Sequence, residues 1–277
     1  MHHDVPLFED LLRSVGDSSE GCLMINSPGG DPNAAEKLLM MCRQRFTKEF
    51  DVIVPDYAKS AATMIALGSD KIMMGYLAEL GPIDPQLHTS PIPGGESIPA
   101  RSFIDGLDMI RRKVKEDKDP VAMYLPMLQQ IRPEVLAMCQ RAIDDAKLFA
   151  EKWLKNCMLK NDPKQAEAVA EMLSTGAAYK SHGKVIDFRE AKDVLKLNVE
   201  VIDRKSSLWS NIWELYCRSV HQLQQAPMAA KLFESESTSL TMNIQVQMIQ
   251  VPKQTAPTVP VPKQPQPVAP PATPPKQ

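Results

Sequence analysis

The sequence predicts an α/β domain built on a parallel sheet with helices packed on its faces. Three observations predict it. Short apolar runs suited to buried strands, at 22–26, 52–54 and 71–74, are separated by segments with helical periodicity. Their order, strand–helix–strand–helix–strand, is that of parallel βαβ units. The first strand ends in Met24-Ile25-Asn26-Ser27-Pro28-Gly29-Gly30, where a proline and two glycines turn the chain sharply into a helix.

The elements follow in order. Residues 4–15 read as a helix with Val5, Leu7, Phe8, Leu11 and Leu12 on one stripe. The run 22–26 has the continuous apolar character of a strand buried on both faces. Asp31 is placed to cap the next helix and Pro32 to begin it, and Ala35, Leu38, Leu39 and Cys42 carry that helix to about Phe46. A strand at 52–54, a helix of small and apolar residues at 60–68 and a strand at 71–74 complete the alternating unit. The segment 80–99, rich in Pro, Gly and Ser, reads as a loop, either a cover for a substrate cleft or a surface connection. Helices dominate from Arg101. The long one, 134–159, presents Leu136, Cys139, Ile143, Ala146, Phe149, Trp153 and Cys157 on one face, to be covered by its own chain or by another subunit. A helix at 162–175 ends near Gly176, a polar turn spans 179–184, a short helix 188–195 and a last strand 198–202, and a terminal helix covers 208–225. Ten of the 24 prolines fall in the last 27 residues, a composition that cannot bury enough apolar surface to order itself. The expected organisation is a principal domain over 1–205, a helical extension over 206–250 and a disordered proline-rich tail over 251–277.

Composition narrows the function. A chain of 277 residues accommodates one large domain with appendages, and a net charge of −2 shows no basic excess for nucleic acid or a membrane surface. The five cysteines are scattered and odd in number, which reads as reduced thiols in a cytoplasm, and they lack the paired spacing of a metal site. Met1-His2-His3-Asp4 is not the start of a signal peptide, and no apolar run approaches the ~18 residues of a membrane span.

The chemistry resides in two motifs. The glycine turn frees backbone N–H groups at the start of a helix, where Gly29 and Gly30 either hold an oxyanion or serve only a turn with positive φ. Ser60 lies in Lys59-Ser60-Ala61-Ala62-Thr63-Met64 at the start of another helix, either as a nucleophile with the Ala61 N–H as a second oxyanion donor or as an ordinary cap. Together they suggest a serine hydrolase, most naturally a peptidase. Ser27 reads as structural, and Lys59 as pointing away from its neighbour. The base is left to His182 or His88, since His2 and His3 lie at the chain end and His221 in the terminal helix. Asp84 and Asp187 compete as its acidic partner.

Four motifs in order carry a resemblance. Ser27-Pro28-Gly29-Gly30-Asp31, the run from Ala58-Lys59-Ser60-Ala61-Ala62 to Gly68, Glu79-Leu80-Gly81-Pro82-Ile83-Asp84-Pro85-Gln86, and Ser181-His182-Gly183 resemble the serine dehydrogenase proteinase family. That family belongs to the Clp protease/crotonase superfamily and is related to signal peptide peptidase A. The resemblance spans roughly residues 4–203. It implies a Clp/crotonase-type fold and an ATP-independent endopeptidase without a cofactor. It also implies a triad of Ser60, Asp84 and His182, and closed homo-oligomers acting on protein or peptide substrates. A Ser–Lys dyad like that of signal peptide peptidase A would draw on Lys113 or Lys115. The family's strand before the first helix has almost no room after Met1, so the sheet is expected to expose an edge. Two other readings stand beside the peptidase. One is an acyl-thioester enzyme that uses the oxyanion turn alone. The other is a non-catalytic scaffold tethered by its tail, where Pro257-Thr258-Val259-Pro260 and Pro262-Lys263-Gln264-Pro265 fit a minimal PxxP pattern.

Overall fold

The computed structural model describes residues 4–88, 97–226 and 229–243. In chain order the elements are α1 (Asp4–Ser14), β1 (Glu20–Met24), α2 (Pro32–Arg45), β2 (Glu49–Val54), β3 (Tyr57–Ala58), α3 (Ala61–Leu67), β4 (Lys71–Met74), β5 (Glu79–Leu80), β6 (Gln86–His88) and β7 (Ser97–Pro99). They continue with α4 (Ala100–Lys115), α5 (Leu125–Leu128), α6 (Pro133–Asn156), α7 (Pro163–Ser174), β8 (Ile186–Asp187), β9 (Val199–Val201), α8 (Ser207–Gln225), β10 (Ala229–Glu234) and β11 (Ser239–Asn243). A short 3₁₀ turn precedes α5, and Glu190–Val194 forms one π-helical turn where a short helix is expected.

The main sheet is four parallel strands in the order β1-β2-β4-β9. Its register aligns Leu23 with Val52, Val52 with Ile72, and Ile72 with Val199. Phe50, Val52, Val54, Ile72 and Met74 are completely buried beneath α2 and α3, and α3 lies wholly in the core. On the other face Met24, Ile53 and Met73 pack against Trp209 and Ile212 of α8. The strand at 20–24 is not buried on both faces as the apolar run suggests. It occupies the edge of the sheet, and Glu20 and Cys22 are exposed. Apolar composition cannot distinguish an edge strand from a central one.

Asp31 caps α2 by accepting from the Asn33 N–H at 2.9 Å, with Pro32 in the first turn. The stripe on α6 is covered by its own chain. Cys139 and Ile143 pack with Ala100 of α4, and Phe149, Ala150 and Leu154 join the main core. Part of the expected loop at 80–99 is ordered as the β6–β7 hairpin; residues 89–96 lie outside the described residues. The expected helical extension at 206–250 is helical only to Gln225. An antiparallel hairpin, β10–β11, follows it and packs on α1 through Phe233 against Phe8. The tail at 251–277 also lies outside the described residues.

A second, smaller sheet positions the site. Strand β3 pairs in parallel with β5, and β5 pairs antiparallel with β8, with Ala58 opposite Leu80 and Leu80 opposite Ile186. An isolated parallel bridge joins Ser27 to Ala58. The chain runs from β3 directly to Ser60 and from β5 to Asp84, and it enters β8 just after His182.

Candidate active site

The glycine turn and the Ser60 turn are in van der Waals contact. Backbone hydrogen bonds zip them together, with Ser27 N–H donating to Tyr57 O at 3.0 Å and Lys59 N–H donating to Ser27 O at 2.9 Å. Gly29 has φ 104°, and a Cβ there would lie 2.7 Å from Lys59 O, 2.8 Å from Ser60 Cβ and 3.1 Å from Ala61 N. Only glycine permits that approach, because both the conformation and the space exclude a side chain. Gly30, with φ 154°, faces open space.

Ser60 is not an ordinary cap. Its backbone has φ 49° and ψ −118°, and its side chain makes no capping hydrogen bond. A non-glycine residue in such a region costs about 1–3 kcal/mol and persists only where its surroundings impose it. They do so here. Ala62 N–H donates to Lys59 O at 2.9 Å, and the Thr63 hydroxyl, fully buried, donates to Ala58 O at 2.6 Å. The first turn of α3 is thereby folded back onto β3, and the half-buried Ser60 hydroxyl is left without a local partner.

The backbone donors sort themselves. Gly29 N–H donates to Ser27 Oγ at 3.1 Å, so Gly29 supplies close approach rather than a free donor. The N–H groups of Gly30 and Ala61 have no acceptor among the described residues.

The structure brings Asp84 and His182 together across 98 positions of sequence, with Nδ1 and Oδ1 2.8 Å apart. Asp84 is only 3% exposed, and the His182 side chain is about a third open to solvent. A carboxylate accepts, so Nδ1 carries the hydrogen, and in the neutral imidazole this leaves the Nε2 lone pair free to take a proton. The second oxygen of Asp84 accepts from Gln86 Nε2 at 2.8 Å. Gln86 lies within the motif that contains Asp84, but nothing in the sequence marks its amide as a clamp on that carboxylate. Thr63 also escapes a sequence reading. Besides holding Ala58, its hydroxyl accepts from Gly81 N–H at 3.1 Å and so ties α3 to the segment leading to Asp84. A single hydroxyl within an otherwise apolar buried helix is the signal that could have found it.

The other candidates lie elsewhere. Asp187 accepts from the Glu190 N–H at 2.8 Å and caps the turn that follows it. Lys113, in the last turn of α4 with Lys115, is paired at the surface with Asp117 just beyond the helix at 2.8 Å. His88 sits on β6 opposite Ser97, with its side chain outside the described residues, as are His2 and His3. His221 is exposed on α8. Burial pushes the Cys42 thiol up to about 12, which makes it an inert core side chain.

A family profile for ClpP-like SDH-type serine proteinases matches residues 8–239, most of the chain. The chain belongs to that family. An uncharacterized protein of Methanocaldococcus jannaschii is 29% identical over 217 residues, which is 77% of this chain and 65% of that protein. A second uncharacterized protein of the same organism is 36% identical over 86 residues, 30% of this chain and 29% of its own length. This SDH-type chain therefore spans just under two thirds of the first relative and under a third of the second. Among solved structures, the 1510-N membrane-bound stomatin-specific protease aligns twice. A serine-to-alanine mutant aligns at TM-score 0.43 and 15% identity, over 73% of this chain and 74% of that one. A lysine-to-alanine mutant in complex with a substrate peptide aligns at TM-score 0.43 and 16% identity, over 88% and 82%. Among the described residues of the SDH-type chain, no helix is long and apolar enough to cross a membrane.

Proposed function

We propose that the chain is an ATP-independent serine endopeptidase that cleaves protein or peptide substrates through an acyl-enzyme on Ser60. Ser60 Oγ attacks the scissile carbonyl while its proton passes to His182 Nε2. The carbonyl oxygen, now negative, is held by the N–H groups of Gly30 and Ala61. Asp84 orients the imidazole and stabilises its charged form. His182 then returns the proton to the leaving amine, and water resolves the acyl-enzyme by the same route in reverse. Nothing in this sequence of steps calls for a cofactor.

The observation that carries the reading is the Ser60 turn itself. A serine whose hydroxyl makes no capping bond is held on strained backbone directly against Gly29, beside two N–H donors that are unpaired among the described residues. A capping serine would use its hydroxyl on its own helix and would adopt extended backbone. Membership in a serine proteinase family supports the same reading. In line with it, we assign the working protein to a homo-oligomer in a reducing, cytoplasmic compartment. All five cysteines are free thiols, which fits this assignment.

The test is covalent labelling with a fluorophosphonate probe, mapped by peptide mass spectrometry, on the wild type beside Ser60→Ala and His182→Ala. An adduct on Ser60 that slows by about 10²–10⁴-fold in His182→Ala is expected for a positioned general base. A folded wild-type protein that takes no adduct at Ser60 overturns the peptidase reading.

A further inference from the structure

We propose that Lys59 is a positioning residue that fixes the turn carrying His182 relative to Ser60. The proposal rests on the reading of Ser60 as nucleophile and His182 as base. An ammonium has three hydrogens to donate, and here each has one acceptor. Nζ lies 2.8 Å from Glu79 Oε1, 3.1 Å from Leu80 O and 3.2 Å from Lys184 O. With Nζ engaged by a carboxylate and two carbonyls, the head is turned to acceptors and away from the role of base. Its role has to be sought in what it ties together.

Three segments of the site meet on this one side chain. The backbone of Lys59 adjoins Ser60. Its aliphatic stem lies flat on Gly81, where a Cβ would stand 2.7 Å from Lys59 Cδ, so that it packs on the strand exit leading to Asp84. Its head reaches the carbonyl of Lys184, two residues beyond His182. The side chain is only 16% exposed and its bond to Leu80 O is partly buried, while the bond to Lys184 O lies at the exposed end of the head.

The 181–184 turn needs such a tie. It contains Gly183, and its own bonds are local: Lys184 N–H donates to Ser181 O, and Lys184 Nζ pairs with Glu190. Among the described residues, its only hydrogen bonds to distant parts of the chain are His182 to Asp84 and Lys184 O to Lys59. The first sets the tautomer and orientation of the imidazole but lets the ring pivot about Asp84. The second bond, to the residue two positions beyond His182, restrains that pivot. A mere surface ion pair would need Glu79 alone and no carbonyls.

Lys59→Met keeps the stem over Gly81 and deletes the head. The expected result is a labelling rate at Ser60 reduced about 10–100-fold, the scale on which an ångström of misplacement acts. In a His182→Ala background the same substitution is expected to cost nothing further, because Lys59 acts only through the imidazole. The substitution leaves Glu79 without its partner. The double variant Lys59→Met/Glu79→Leu therefore serves as the second measurement, with circular dichroism to verify the fold, and the same loss is expected. Wild-type labelling in a folded Lys59→Met variant overturns the proposal. So does a loss of equal size with and without His182, which would mark a role independent of the base. If His182→Ala itself labels at the wild-type rate, the reading of His182 as base falls and takes this proposal with it. That outcome is distinct from a failure of Lys59 alone.

Discussion

At the scale of single residues, the site depends on how little room Gly29 leaves. Alanine there meets two penalties at once, a backbone at φ 104° and a Cβ 2.7 Å from a carbonyl oxygen that cannot move without moving Ser60. Gly30→Ala meets the first penalty only, since the space beside it is open. Gly29→Ala is therefore expected to destabilise the protein by about 2–3 kcal/mol and to abolish labelling of Ser60, whereas Gly30→Ala costs about 1 kcal/mol. Urea unfolding midpoints together with labelling rates test the ranking, and equal losses at the two positions would contradict it. The glycines were legible as a turn because Pro28-Gly29-Gly30 admits little else. The strained φ of Ser60 was not legible, since serine is a good cap and its sequence context suits either role. The pairing of His182 with Asp84 could not be read from spacing either. The two lie in separate segments that only the small β3-β5-β8 sheet brings together, and the resemblance to a family had to supply them.

At the scale of elements, the sheet is tied to its helices by a few partly buried polar bonds, and Asp70 shows how this makes stability depend on pH. It accepts from Arg43 through both oxygens, at 2.7 and 3.2 Å, and from the Phe50 N–H at 2.9 Å, while Arg43 Nε also donates to Gly68 O. Helix α2, the end of α3 and the start of β4 are joined at this one guanidinium. Burial alone pushes the Asp70 carboxyl up, but the hydrogen bonds from Arg43 and Phe50 and the nearby positive charge outweigh it and hold the group below its ordinary 3.8. A depressed carboxyl stabilises the fold at all pH values above its unfolded value, and that contribution fades as pH falls through the folded one. Arg43→Met is expected to cost about 1–2 kcal/mol at pH 7, a figure kept low because Asp70 is partly solvated. The deficit should shrink as the pH is lowered below about 4, where the wild type loses the same contribution. Thermal melts from pH 7 to 3 check this, and a deficit that stays constant across that range would show that Arg43 acts through packing and its bond to Gly68 O rather than through Asp70. Strand β4 was readable to the residue, since Asp70 and Gly75 bracket four residues of which three are apolar. For β1 only its existence was readable, because edge or centre is decided by what pairs beside a strand and not by the strand's own composition.

At the scale of the whole domain, the first helix and the last hairpin close on each other. Phe8 meets Phe233 edge to face with ring centroids 6.4 Å apart, the Ser14 and Ser235 hydroxyls are 2.6 Å apart, and Lys231 is paired with Asp4. The hairpin has a readable alternation in Ser239-Leu240-Thr241-Met242-Asn243, yet the helix before it and the prolines after it drew the reading toward an extension without strands. Its consequence is thermodynamic. Helix α1 has 11 residues, too few to be stable in water on its own, so its order depends on burying Phe8, Leu11 and Leu12. The sheet side of that stripe is covered by the main core, and the outer side of Phe8 by Phe233. Phe233→Ala should therefore loosen α1 before anything else, at a cost of about 1–2 kcal/mol for a half-buried ring. Hydrogen exchange is the measurement that separates local from global effects. Amides of α1 are expected to lose protection selectively, while those of β2 and β4 keep exchange rates set by global unfolding. Protection lost uniformly across the sheet would instead make the hairpin an integral part of the core. Labelling of Ser60 should survive the local loosening, because among the described residues no hydrogen bond of the Ser60, Asp84 or His182 turns involves α1 or the hairpin.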